Sequence, residues 1–138
     1  MTRPYAIYTD ATADIPKELL LGQDIGILPM AYTLDDHPYV FDHSWSLQQY
    51  QDFYEQLRKK NPFKTSQINF MNYVDAFRPE LENGRDILYV SFSSGMSSSF
   101  SSSQLAAKDL EKRYPGSRVL CSDSLCASAG EGLLTLHA

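Results

Sequence analysis

Nine of the thirteen residues from Ser91 to Ser103 are serine. Three other short segments are similarly rich in small oxygen-bearing or amide side chains: Asp10-Ala11-Thr12, Thr65-Ser66-Gln67 and Asp123-Ser124. All four are poor in positive charge. Hydroxyls and the free N–H groups at helix starts can hold an anionic oxygen without a cation, so the chemistry these residue types suggest is anion binding. Ser and Thr also favour caps and turns in any protein, and that reading explains any one of them alone. The serine run gains weight from its place between a buried strand and an amphipathic helix.

Other chemistries find less support. Ser93-Ser94-Gly95 lacks the G-x-S-x-G elbow, and only His37, His43 and His137 could act as an imidazole base. Nothing near Cys126 in sequence would stabilise a thiolate. Asp35, Asp36, His37, Asp42 and His43 could be drawn as a metal cluster, but a hairpin turn accounts for them, so no metal and no cofactor is expected. A phosphate- or nucleotide-binding α/β enzyme domain using the serine loop stays open as the alternative. Neither G-x-x-x-x-G-K-[ST] nor G-x-G-x-x-G supports it.

The elements that would position these groups can be read from periodicity. Ala6-Ile7-Tyr8-Thr9 is a β-prone run, followed by a polar loop and a short helix with Pro16 near its first turn. Ile25 to Leu34 reads as a second strand interrupted by Pro29, at an edge position or a bend, and Asp35 to Pro38 turns the chain into a hairpin arm, Tyr39-Val40-Phe41. Ser46 and Gln49 form a capping box ahead of a helix whose apolar positions are Leu47, Tyr50, Phe53, Tyr54 and Leu57. Asn69 caps a second helix with the face Phe70, Tyr73, Val74 and Phe77, ending near Asn83-Gly84. Ile87-Leu88-Tyr89-Val90 is apolar on both faces and belongs in a covered parallel sheet. A helix to Tyr114, a strand from Arg118 to Asp123 and a last helix complete an α/β order: a mainly parallel sheet flanked by helices, with an added hairpin. In such sheets ligands bind beyond the carboxyl ends of the strands, where the oxygen-rich segments fall.

The chain has 138 residues, 12 basic and 17 acidic, with a net charge of −5. That charge argues against nucleic acid, whose backbone is bound by clustered Lys and Arg. No stretch reaches the roughly 18 consecutive apolar residues of a membrane span. Asp10, Asp14, Lys17 and Glu18 interrupt any signal peptide, so a cytoplasmic location is expected. Cys121 and Cys126 fit no disulfide framework or CxxC pattern and are expected as buried thiols.

Ile7-Tyr8-Thr9-Asp10-Ala11-Thr12-Ala13-Asp14-Ile15-Pro16, then Lys64-Thr65-Ser66-Gln67, then Ser93 to Phe100, then Asp123-Ser124 with Ser128 to Gly132, follow one another as in the DegV family. The chain resembles the amino-terminal domain of these proteins, which bind fatty acids and serve bacterial fatty acid kinase. The resemblance implies a non-enzymatic carrier of a long-chain fatty acid, its acyl chain in an apolar pocket and its carboxylate held by hydroxyls. Residue by residue, it implies carboxylate contacts from Thr65, Ser66, Ser93 and Ser94, with Ser97 beside them. Asp10, Thr12, Gln67, Gly95, Ser98, Ser99, Asp123 and Ser124 would support the loops. It also implies a fatty acid kinase as protein partner.

This chain departs from the family pattern at Ala11, where the family usually has Ser, and at Ser97-Ser98-Ser99-Phe100, where it usually reads Ser-Gly-Thr-Tyr. If the Gly position needs positive φ, Ser98 costs on the order of 1 kcal/mol and reshapes the loop. Residues 1–138 are expected to form the amino-terminal domain alone, without the second, carboxyl-terminal family domain. Such a half would expose an inter-domain face, and a homodimer through it is a further expectation.

Overall fold

The structure, a computed structural model, describes residues 3–138. Four parallel strands, β1 (Tyr5–Asp10), β2 (Ile25–Leu28), β6 (Asp86–Ser91) and β7 (Val119–Asp123), form one sheet in the order β2-β1-β6-β7. Strands β3 (Met30–Leu34), β4 (His37–Phe41) and β5 (Phe63–Thr65) form a second, antiparallel sheet in the order β4-β3-β5. The helices are α1 (Lys17–Leu20), α2 (Leu47–Arg58), α3 (Phe70–Glu82), α4 (Ser99–Arg113) and α5 (Ala129–His137). The α/β architecture expected from the sequence is the one observed.

One expectation is corrected and one strand is added. Ile25 to Leu34 is two strands in two different sheets, with Pro29 between them. A proline has no N–H to give a ladder, so the parallel pairing of β2 with β1 ends at Leu28 and the chain starts a new sheet at Met30. Phe63 to Thr65, which carries no strand signal of its own, is a strand: it pairs with β3 in the register Tyr32↔Thr65. The β3–β4 hairpin turns on Asp35 and Asp36, both at positive φ (52° and 60°), the geometry of a two-residue turn that matches strand twist.

The expected capping box at Ser46 and the expected cap at Asn69 are both present, the latter also as a box. Ser46 accepts from the Gln49 N–H and Asn69 from the Asn72 N–H, each reciprocated by the side chain three residues on. Ala6, Ile87, Tyr89 and Val119 point from the parallel sheet toward α3 and α4, where Tyr73, Val74, Phe77 and Leu110 meet them in one cluster. Gly26 is required beside this cluster, because a Cβ there would lie 2.3 Å from the Tyr8 ring. The Tyr8 ring stands edge-on to Phe77 at 5.3 Å. The opposite face of the sheet carries α5 and leaves Leu120 exposed, so the covering is less complete than the apolar strand sequence suggests. Cys121 and Cys126, expected as buried, are both half-buried, and burial raises the Cys121 pKa.

Phe77 is fully buried and touches both Tyr73 and Tyr89 rings. Phe77→Ala is expected to lower unfolding free energy by about 3–5 kcal/mol, as cavity-forming Phe truncations do, read by urea denaturation. A loss under about 1 kcal/mol would show that α3 does not seat on the sheet as described.

Candidate functional site

The carboxyl end of β1 delivers Asp10, which is almost wholly buried. Its side chain caps a single 3-10 turn, Ala11–Ala13, by accepting from the Thr12 N–H at 3.1 Å, and the Thr12 hydroxyl also bonds the same oxygen. The other carboxylate oxygen accepts from the Tyr89 hydroxyl at 2.8 Å and the Phe92 N–H at 3.3 Å. Because Tyr89 gives its proton to Asp10, Tyr73, 3.0 Å behind it, donates to Tyr89. Burial, then the Asp10 charge, holds the Tyr89 phenol far above its ordinary pKa, and burial does the same to Tyr73.

A residue absent from the sequence-based site joins this network. Glu131, on α5, is fully buried and lies 3.0 Å from both the Thr9 and the Thr12 hydroxyl oxygens. The next residue, Gly132, brings the helix against the turn: a Cβ there would stand 2.7 Å from the Ala13 carbonyl oxygen. Burial first, and the Asp10 charge second, push the Glu131 pKa up to about 8. The only sequence signal was an acid between two glycines in an otherwise apolar helix.

The serine loop is an ordered turn. The Ser93 carbonyl accepts from Met96 and Ser97 N–H, and the Ser93 hydroxyl accepts from the Gly95 N–H. Asp123 accepts from the Ser94 and Leu125 N–H groups, which ties the loop to the end of β7; the Ser94 side chain first, and then these N–H groups, lower the Asp123 pKa. The Ser124 hydroxyl donates to the Cys126 carbonyl and accepts from the Cys126 N–H. Ser98 has φ −83°, so the strain expected of serine in place of glycine is not there: the position is right-handed and any residue can occupy it. Instead the Ser98 hydroxyl bonds the Gln67 side chain and Ser99 accepts from the Ile68 N–H, joining the serine loop to the segment after β5.

Between the two sheets lie two adjoining cavities. The smaller, about 200 Å³, is walled by Thr65, Ser66, Gln67, Ser97 and Ser99, with Asp10 and Thr12 on another side. The larger, about 270 Å³, is walled chiefly by Tyr32, Phe41, Trp45, Tyr50, Phe53 and Phe63. Thr12, Met30 and Phe92 line both. Ser93, Ser94, Gly95, Ser98, Asp123 and Ser124 lie outside the wall of the smaller cavity. The Thr65, Ser66 and Ser93 hydroxyls donate to no protein acceptor among the described residues, which leaves their protons for a ligand. The arrangement can take an anionic oxygen at one end and an apolar body at the other.

A model of the family described as uncharacterised protein, DegV family, matches residues 4–138. A DegV domain-containing protein of Clostridium perfringens is 34% identical over 136 residues, covering 99% of this chain and 46% of that protein. A stearic acid-binding protein from Eubacterium ventriosum superposes with TM-score 0.82 at 26% identity, over 94% of this chain and 44% of that one. The Streptococcus pneumoniae fatty acid kinase B3 protein, loaded with linoleic acid, shares the fold with TM-score 0.78 at 22% identity, over 96% of this chain and 46% of that one. The chain spans about half the length of these relatives.

The raised Glu131 pKa has a consequence for stability. The folded protein holds this proton up to about pH 8, whereas an unfolded glutamate releases it near its ordinary value of 4.5. The stabilisation this proton carries is complete below the lower value and lost as pH rises through the upper one. Glu131→Gln keeps a neutral side chain at every pH. The variant should match the wild type near pH 5 and exceed it by on the order of 1 kcal/mol or more near pH 8, in denaturation series at both pH values. An equal difference at both would contradict a buried, protonated Glu131.

Proposed function

The chain belongs to the DegV family, and from that premise we propose that it binds a long-chain fatty acid in the two adjoining cavities between its sheets. The observation that carries the reading is their continuity: a hydroxyl-lined space and an aromatic one share Thr12, Met30 and Phe92. A fatty acid has the same division, one anionic end and a long apolar body. Each methylene removed from water contributes about 0.8 kcal/mol, so an aromatic pocket supplies affinity while few polar groups supply orientation.

In this reading Thr65, Ser66 and Ser97 hold the carboxylate from the cavity wall, and Ser93 and Ser94 reach it from the adjacent turn. The Thr65 and Ser66 hydroxyls are exposed and uncommitted, which suits donors to an incoming carboxylate. A hydroxyl-held carboxylate lacks the tight ion pair of an arginine fork and stays open to further chemistry. That fits a cytoplasmic carrier that presents the acid to a fatty acid kinase for acyl-phosphate formation, the chemistry residing in the kinase.

Organic extracts of the purified protein, analysed by mass spectrometry, should contain long-chain fatty acids. Nucleotide in the extract with no lipid would overturn the reading in favour of a phosphate site. Removing single donors should weaken palmitate binding by roughly 10-fold for Thr65→Val and for Ser66→Ala, the value of one hydrogen bond to a charged group. Calorimetric titration measures both, and unchanged affinity in both would displace the carboxylate from this cavity.

A further inference from the structure

We propose that Glu131 is a positioning residue for the smaller cavity: it must keep its proton for the cavity to accept a carboxylate, and anion binding weakens as Glu131 ionises. The inference rests on the fatty acid reading above and adds a control to its headgroup end. Its basis is a count of protons. The Thr9 hydroxyl oxygen lies 2.9 Å from the Val90 carbonyl and 3.0 Å from Glu131 Oε1. The Thr12 hydroxyl oxygen bonds Asp10 Oδ1 and lies 3.0 Å from Glu131 Oε2.

Each hydroxyl has one proton to give, yet each faces two oxygens. Val90 O and the Asp10 carboxylate can only accept. If Thr9 donates to Val90 and Thr12 to Asp10, an ionised Glu131 faces two lone pairs with no donor. A neutral Glu131 resolves this by donating to one of the threonine oxygens. Given to the Thr12 oxygen across the Oε2 contact, the proton directs the Thr12 hydroxyl at Asp10, and Asp10 and Thr12 are among the residues that line the smaller cavity.

The surrounding charges point the same way. On β1, packed against α5, stand Tyr5, Tyr8 and Asp10; the 3-10 turn leads into Asp14; β6 carries Asp86 and Tyr89; and α5 itself ends with His137. Among the described residues no ion pair involves Asp10 or Glu131. Losing the Glu131 proton therefore puts a second uncompensated negative charge beside Asp10. A carboxylate entering the cavity then meets two negative groups in place of one. The raised Glu131 pKa of about 8 puts this change just above neutrality.

The test titrates the whole chain with palmitate from about pH 6.5 to about pH 9.5, alongside hexadecanol, which has the same chain and no charge. Palmitate Kd should rise about 10-fold across pH 8 while hexadecanol binding stays level. Glu131→Gln should flatten the palmitate profile. Asp10→Asn, which removes the neighbouring charge, should move the midpoint to lower pH, a readout that remains if the glutamine variant folds poorly. In the ligand-free protein, the infrared band of a buried protonated carboxyl should fade above pH 8 and be missing from Glu131→Gln. A level wild-type palmitate profile, a slope that survives in Glu131→Gln, or the absence of that band would overturn the proposal. Binding of neither ligand at any pH, with the band intact, would instead overturn the fatty acid reading and its consequence for affinity.

Discussion

A carboxylate buried without a cation is the constraint around which this fold is arranged. Among the described residues Asp10 has no Lys or Arg partner, and it accepts instead from the Thr12 N–H and hydroxyl, the Tyr89 hydroxyl and the Phe92 N–H. A buried charge costs several kcal/mol unless its oxygens are satisfied, so these donors must all be in place together. They come from the turn after β1, from β6 and from the loop that follows it. Through Tyr73 the same chain of hydroxyls reaches α3, and through Thr12 it reaches α5. One acid thus ties together the turn after β1, β6 and the loop after it, α3 and α5.

The two sheets divide the rest of the work. The parallel sheet supplies polar strand ends and the helix start at Ser99, while the antiparallel sheet and α2 supply aromatic surface centred on Tyr32. That ring packs within 5.3–6.1 Å of Tyr39, Trp45, Phe53 and Phe63. Pro29 makes the division possible, because a continuous strand from Ile25 to Leu34 would keep β3 in the parallel sheet and close the space. Ser98 and Ser99 then hold the two halves together by bonding Gln67 and the Ile68 N–H. The serine run that resembles a flexible linker by composition is a structural tie.

What was legible in the sequence was what local rules decide. Ser46 with Gln49 and Asn69 with Asn72 satisfy helix ends within four residues, so both caps could be read directly. Asp35 and Asp36 announced their turn for the same reason. The features that escaped depend on partners far along the chain. β5 is a strand because β3 lies beside it, and nothing in Phe63-Lys64-Thr65 alone says so. Ser98 was expected to be strained because a glycine in its place suggests positive φ, but only the observed backbone fixes that angle. Glu131 lies 119 residues from Thr12 and would be read as an exposed helical acid until Gly132 is seen to press α5 onto the turn.

The charge balance of the site follows from the same arrangement. An anion is to be held by a protein of net charge −5, beside a buried aspartate, with hydroxyl donors alone. Arginine would bind a carboxylate more tightly, but beside Asp10 it would pair with the aspartate first and withdraw donors from the ligand. Hydroxyls cannot be captured that way, since each already shares its oxygen within the network or stands free at the cavity wall. The apolar cavity then carries the affinity, and the polar end needs only to orient the carboxylate. In such a design the protonation of one neighbouring acid counts for as much as a single hydrogen bond to the ligand, although it alters the net charge the ligand meets rather than one contact among several.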